Sequence, residues 1–240
     1  MADFELFSDS GSRPVNEDYV ITEQKNGSRI FIVADGLGGH GKGDEASRFA
    51  AREFVRCFLA SENFINDMGA AFSYVQQELL KKQEESFAKY QMKTTLVVLL
   101  VTKDKIRWGF IGDSRLYMLK NSKIEERTLD HSVPQRLAIS GDISENEIRF
   151  HPDRNKLLRV MGSEWGASSY ELSQIKGRTP NTSFLLCTDG FWELVDDIQI
   201  EQTHRQTKNS LGWVLEMYRI IKKNGEGKNM DNLSAIAIRL

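Results

Sequence analysis

Apolar residues recur along this 240-residue chain with two periods, and the places where the period changes outline its organisation. Alternating or β-branched stretches bounded by turn residues predict strands at Phe4 to Ser8, Asp18 to Gln24, Arg29 to Ala34, Thr94 to Thr102, Lys105 to Ile111, Arg115 to Lys120, Ser183 to Thr188 and Leu233 to Leu240. Two long segments interrupt them. Asp44 to Ala60 and Phe64 to about Tyr90 carry apolar residues at helical spacing, with Asp44 as a candidate cap and no strand between them. A late helix, about Gly212 to Lys223, precedes the last strand. This order fits antiparallel sheets with helices packed outside them better than regular βαβ alternation. With neither an internal repeat nor a low-complexity linker, one domain over residues 1–240 is expected.

Composition narrows the function classes. Hydrophobic residues make up 40% and charged residues 28%, ordinary for a globular domain with a sizeable core, and the net charge of −2 leaves no basic footprint for nucleic acid or anionic lipid. The N-terminal stretch MADFELFSDSGSRP has no apolar h-region, and the longest aliphatic run, Leu96 to Val101, is far short of a membrane span. A cytoplasmic location is the expectation. The cysteines, Cys57 and Cys187, sit inside apolar segments and read as buried thiols. A C-x5-R phosphatase loop fails at both, because Asn63 and Glu193 stand where the arginine belongs.

The stretch FIVADGLGGHGKGDEAS, residues 31–47, satisfies G-x-G-x-x-G through Gly36, Gly38 and Gly41, and misses the P-loop pattern only because Gly43 follows Lys42. A dinucleotide unit needs a second strand after its helix, and here another helix follows; the P-loop reading lacks the hydroxyl that would meet magnesium. A different feature recurs. RIFIVAD ends at Asp35, KIRWGFIGD at Asp113 and SFLLCTD at Asp189, and Asp231-Asn232 precedes the closing strand. Any one of these is ordinary turn chemistry. Together they place carboxylates on one rim, where they raise each other's pKa unless cations lie between them, and an all-oxygen set selects magnesium or manganese over zinc.

These residues carry a family resemblance. SGSRPVNEDYV, VADGLGGHGKG, IGDSRLY, DHS, LLRVMG, LLCTDGFWELV and DNLSAI resemble, in order from about Ser8 onward, the signatures of the metal-dependent serine/threonine protein phosphatases of the protein phosphatase 2C family, in their compact bacterial form. Leu158, Val160 and Met161 depart from the family's T-R-A-L-G segment, and Leu37 occupies a position where many eukaryotic members have histidine.

The resemblance implies an α+β fold, a four-layer sandwich of two antiparallel β-sheets flanked by α-helices on both outer faces. It implies a binuclear Mn2+ or Mg2+ centre in which Asp35 bridges both ions, the Gly36 carbonyl binds one, Asp189 and Asp231 complete the protein ligands and Asp18 acts through water. Asp113 and Asp189 would share a third ion. Water activated by two cations can attack the phosphoryl group in line without a covalent intermediate. Arg13 offers a planar fork to the phosphate, against the plainer reading of an ion pair with Glu17 or Asp18. His40 is a candidate proton donor to the leaving oxygen, His131 a local hydrogen bonder, and His151 and His204 surface residues. Residues 130–165, charged and turn-rich, with Ser144 and Glu147 spaced as a capping box, correspond to the flap beside the active site. The expected partners are phosphorylated proteins, the substrates of a serine/threonine kinase, with the enzyme acting as a monomer. A pseudophosphatase that only binds a partner, and a P-loop nucleotide enzyme, remain as other readings; the first should have lost a metal acid, and this chain keeps all of them.

Overall fold

Two antiparallel sheets lie face to face in the computed structural model, which describes residues 2–37, 41–88, 91–166 and 169–240. The first sheet has the order β1 (Asp3–Asp9), β11 (Leu233–Arg239), β10 (Thr182–Cys187), β6 (Arg115–Lys120), β7 (Lys123–Arg127). The second has β2 (Asp18–Lys25), β3 (Ser28–Asp35), β4 (Leu96–Val101), β5 (Lys105–Ile111) and β8 (Glu171–Leu172), with β9 (Lys176–Gly177) pairing the far end of β5.

Strand periodicity makes the layers. In β3 and β4 the residues Ile30, Ile32, Ala34, Leu96, Val98 and Leu100 pack against helices α1 (Gly43–Ala60) and α2 (Phe64–Glu85). Their alternates Phe31, Val33, Val97 and Leu99 meet Phe184, Leu186, Ile236 and Ile238 of the other sheet. On the first sheet's outer face, Leu185, Cys187, Ala235 and Ala237 pack with Trp192 of the one-turn helix α4 (Asp189–Trp192), Ile200 of α5 (Asp197–Gln206) and Trp213 of α6 (Ser210–Asn224). The inner strands β3, β4, β10 and β11 are apolar on both faces because they are covered on both faces, which gives the four-layer α+β sandwich.

The eight strands expected from the pattern are present, displaced by at most two residues at their ends. The short strands β7, β8 and β9 were beyond its reach, as was α3 (Val133–Ser140), capped by the Ser132 hydroxyl inside the stretch read as a turn-rich flap. The Ser144–Glu147 capping box is present and opens a 3-10 helix, Glu145–Phe150. Asp44 is no cap: it lies in the first turn of α1, after Lys42, and favours the helix through the dipole. Helix α2 stops at Glu85, short of Tyr90, because Phe87 takes a left-handed φ of +51° and Ala88 N–H turns back to Gln83. His204 departs most from expectation. It is 6% exposed beneath α5, with Nδ1 on the Ser122 hydroxyl and Nε2 on that of Ser183, both at 2.9 Å. Among the described residues no helix is long and apolar enough to cross a membrane.

Register brings the acids to one end. The β2–β3 ladder sets Asp18 opposite Asp35, and Leu96 opposite Ile111 puts the Gly112–Ser114 crossover between sheets at the same end. In the other sheet Cys187 faces both Arg115 and Ala235, so Asp113, Asp189 and Asp231 share that end.

Candidate metal centre

Asp18 and Asp35 have the strand parity of Val20 and Val33, so both project toward the opposing sheet. Like charges directly across a ladder are destabilising, and here the low dielectric between sheets worsens the conflict. Burial and then the neighbouring carboxylates of Asp189, Asp18 and Asp113 hold Asp35 well above the usual carboxylate range. Burial also pushes Asp18 up to about 7, although hydrogen bonds from Ser234 and Thr188 pull the other way. Asp113 is raised well above its ordinary value by burial, Asp189 and Asp130; Asp189 is raised by burial and Asp231.

The local fold fixes these groups from behind. Asp35 is held at the strand end by its N–H on Thr95 Oγ1 (3.0 Å) and by its carbonyl, which accepts from Thr95 N–H and the Thr94 hydroxyl. Thr95 Oγ1 also meets Ser114 Oγ at 2.7 Å, linking the Asp35 strand end to the Asp113 turn. Trp192 Nε1–H donates to the Asp113 carbonyl at 3.0 Å. Thr188 donates from Oγ1 to Asp18 Oδ2 at 2.9 Å, tying the β10 end to the β2 start. Backbones approach closely here: a Cβ on Gly36 would lie 2.2 Å from the Gly43 carbonyl oxygen, and one on Gly190 would lie 2.1 Å from that of Asn232. The glycines after Asp35 and Asp189 therefore serve close packing.

Whether the residues fit divalent cations can be tested on the donor set. Asp18 Oδ1 and Asp113 Oδ1 are buried and have no hydrogen-bond partner among the described residues. Asp35 and Asp189 lie within hydrogen-bonding reach of each other, an arrangement that a proton or a cation between them must stabilise. Among the described residues, no three His, Cys, Asp or Glu side chains are already gathered as a closed metal site. Asp231 gives the reason on one side: its Oδ2 is engaged by Arg13 Nη2 at 2.9 Å and its Oδ1 by Asn232 N–H at 2.8 Å. The acids converge on one rim and hard oxygen donors suit Mg2+ or Mn2+, so the set fits.

Arg13 thus pairs with Asp231, where the plainer sequence reading named Glu17 or Asp18. Both side chains are about half exposed, 47% and 44%, and both line an open cleft of about 680 Å3 with Asp35, Gly36, Leu37 and Asp189. Arg154 and Lys228 stand on the neighbouring rim beside Asp189 and Gly190. His40 lies outside the described residues. His131 is buried: its Nδ1 accepts from Gly112 N–H at 3.2 Å, its Nε2 meets Glu171, and burial lowers its pKa to about 4, so the neutral ring serves as a hydrogen bonder.

Two supports went unread in the sequence. Asn232 Oδ1 accepts from Glu17 N–H while its amide donates to the carbonyls of Ser10 and Val15, clamping the loop that carries Arg13. Arg115 pairs bidentately with Asp130 at 2.7 and 2.8 Å, both buried, with its guanidinium 3.4 Å from the Trp192 ring centre. The pairing of IGDSR with DHS was the available signal for the second; a single asparagine gave none for the first.

Comparison with known proteins places this geometry. A sequence model described as Protein phosphatase 2C matches residues 10–232. The serine/threonine phosphatase stp of Listeria welshimeri is 31% identical over 224 residues, covering 91% of this chain and 87% of that protein. The crystal structure of serine/threonine phosphatase Stp1 from Staphylococcus aureus superposes with a TM-score of 0.89 at 27% identity, covering 100% of this chain and 95% of the other. A similar fold, TM-score 0.83 at 23% identity over 99% and 97% of the two chains, is seen in the catalytic domain of serine threonine protein phosphatase PstP in complex with 2 manganese ions. Through its acid-bearing strand ends, its two-sheet sandwich and these likenesses, the chain belongs to the protein phosphatase 2C family and is a protein serine/threonine phosphatase.

Proposed function

We propose that this divalent-metal-dependent phosphatase hydrolyses phosphoserine and phosphothreonine in proteins by direct attack of water at a binuclear Mn2+ or Mg2+ centre in the cleft below Arg13. Asp35, the Gly36 carbonyl, Asp189 and Asp231 are the residues that would hold the pair, with Asp18 supporting it from β2 and Asp113 serving a third, weaker position. When bound, such a pair supplies activation of water at neutral pH and neutralisation of phosphoryl charge. The observation that carries this reading is the burial of Asp18 directly opposite Asp35, with Asp189 in hydrogen-bonding reach: an arrangement costly in itself and stable around cations.

The chain's own residues do the rest. Thr188 fixes the Asp18 carboxylate, and Thr95 holds the Asp35 backbone at the strand end, so part of the donor set is positioned before ligands arrive. Arg13, half exposed at the cleft mouth, is free to exchange Asp231 for phosphate oxygens and present a bidentate fork. No thiol competes as nucleophile, since burial pushes Cys57 up to about 11 and Cys187 higher still. The whole chain acts as one catalytic domain and as a cytoplasmic monomer on phosphoproteins made by a serine/threonine kinase. His40 keeps its role as candidate proton donor within this proposal.

The test is hydrolysis of phosphothreonine peptides with and without manganese. Turnover should depend on added Mn2+ or Mg2+ and stop in excess EDTA; equal rates in EDTA would rule out the metal mechanism.

A further inference from the structure

Beside the cleft runs a second groove, of about 420 Å3, between the 3-10 helix Glu145–Phe150 and the segment leading into α5. It shares Arg149, Phe150, Glu193, Leu194 and Lys228 with the basin at Asp189 and Asp231, so the two are continuous. Its walls hold two large apolar side chains in water: Phe150 is 78% exposed and Ile198 is 66% exposed.

The walls are fixed to each other rather than free to collapse. Arg149 Nη1 donates to the carbonyls of Trp192 and Val195 at 3.2 and 3.3 Å, joining the 3-10 helix to the α4–α5 connection. From the other side Asn224 Nδ2 donates to the Leu194 carbonyl at 2.8 Å. The Ser144–Glu147 capping box fixes the start of the 3-10 helix, and Asp196 caps α5 by accepting from Gln199 N–H. A backbone frame fixed in this way lowers the ordering cost that binding otherwise incurs.

Charge changes along the groove. Arg13, Arg154 and Lys228 surround the basin end, where phosphate is expected, and Asp196 and Asp197 flank Ile198 at the distal end. The distal end therefore accepts apolar side chains and disfavours acidic ones. We propose that this groove receives the substrate chain next to the phosphorylated residue, taking a bulky apolar side chain between Phe150 and Ile198 and so selecting phosphopeptides that carry Leu, Ile or Phe near the phosphothreonine. The proposal rests on the phosphatase reading above.

The experiment uses the full-length, manganese-loaded enzyme. Phosphothreonine peptides of alanine-rich background carry a single leucine stepped through the positions on either side of the phosphoresidue, and a parallel series carries glutamate. Leucine at one or two adjacent positions should raise kcat/KM roughly tenfold over the alanine peptide, as expected for one apolar side chain in a pocket. Glutamate there should lower it. In Phe150→Ala and Ile198→Asp the leucine preference should shrink to within about twofold, while Ile198→Asp keeps wild-type turnover of p-nitrophenyl phosphate. A flat leucine scan in the wild type, or a preference that survives both substitutions, overturns the groove. Absence of turnover on every peptide and on p-nitrophenyl phosphate overturns the phosphatase reading instead.

Discussion

Asp18 and Asp35 are direct cross-strand partners in the β2–β3 ladder, on the face turned toward the opposing sheet. Their opposition explains both what the site binds and what it costs the metal-free protein. Burial lifts Asp18 from 3.8 to about 7, so the folded state holds a proton that the unfolded state has released. The penalty for ionising Asp18 is present in full above about pH 7 and disappears as pH falls toward 4. Asp18→Asn should therefore stabilise the protein in EDTA near pH 8, by about 2–4 kcal/mol, with a smaller gain at lower pH. With manganese the order should reverse, because the variant gains less from the ion. Thermal melts at two pH values, with and without manganese, check this; a variant less stable than wild type in EDTA near pH 8 would falsify the account.

Arg13 and Asp231 form an ion pair between half-exposed side chains, and such pairs add at most about 1 kcal/mol to stability. Arg13→Ala should thus melt close to wild type. Its effect should fall on KM for phosphopeptides, by about tenfold, with a smaller loss in kcat. Arg13→Lys should restore only part of the affinity, because an ammonium lacks the planar fork. Manganese titrations separate the alternatives: weaker manganese binding with unchanged KM would mean that Arg13 acts through Asp231 rather than on phosphate.

How far this site was legible depends on the kind of signal each residue leaves. Strand ends are read well from sequence, because the apolar run stops at Asp35 or within two residues of Asp113 and Asp189, and a turn residue follows each. The layer arrangement was legible for the same reason, since two-sided apolar strands with flanking helices have few ways to pack. Partners distant in sequence were not. Asn232 reaches Glu17 across 215 positions, and Arg13 reaches Asp231 across 218; nothing local to either residue encodes those contacts. His204 was misplaced because α5 is polar overall and its one buried stripe of Ile200, Thr203 and His204 is too short to show a helical period.

Asp113 separates a turn residue from a functional one. A turn acid replaced by alanine costs about 0.5–2 kcal/mol of stability and leaves turnover per folded molecule intact. A role in the proposed third cation position, if that position assists proton delivery to the leaving oxygen, would have a different signature. Asp113→Ala should lose roughly a hundredfold on phosphoserine peptide, whose alkoxide needs a proton, and only a few-fold on p-nitrophenyl phosphate, whose leaving group does not. Comparing kcat on both substrates at saturating manganese decides it: equal losses exclude the leaving-group role, and no loss returns Asp113 to the turn.

The His204 imidazole sits between the Ser122 and Ser183 hydroxyls, with the Arg239 guanidinium near enough to oppose a second positive charge. Burial and Arg239 lower its pKa from 6.5 to about 4, so the folded protein keeps the ring neutral where the unfolded chain protonates it. The unfolded state then binds more protons, and stability must fall as pH drops from about 6.5 toward 4, with no contribution from this group above 6.5. Glutamine can offer one donor and one acceptor to the same two serines without titrating. His204→Gln should accordingly be no more stable than wild type near pH 8 and should lose less stability on acidification, leaving a shallower slope. Because His131 is also held neutral, with a pKa lowered to about 4, some acid sensitivity should persist in the variant. Urea midpoints at several pH values, all in EDTA so that the carboxylate cluster contributes similarly to both proteins, measure the difference. Parallel pH profiles for wild type and His204→Gln would show that the ring titrates alike in both states, and would remove His204 from the acid response of the fold.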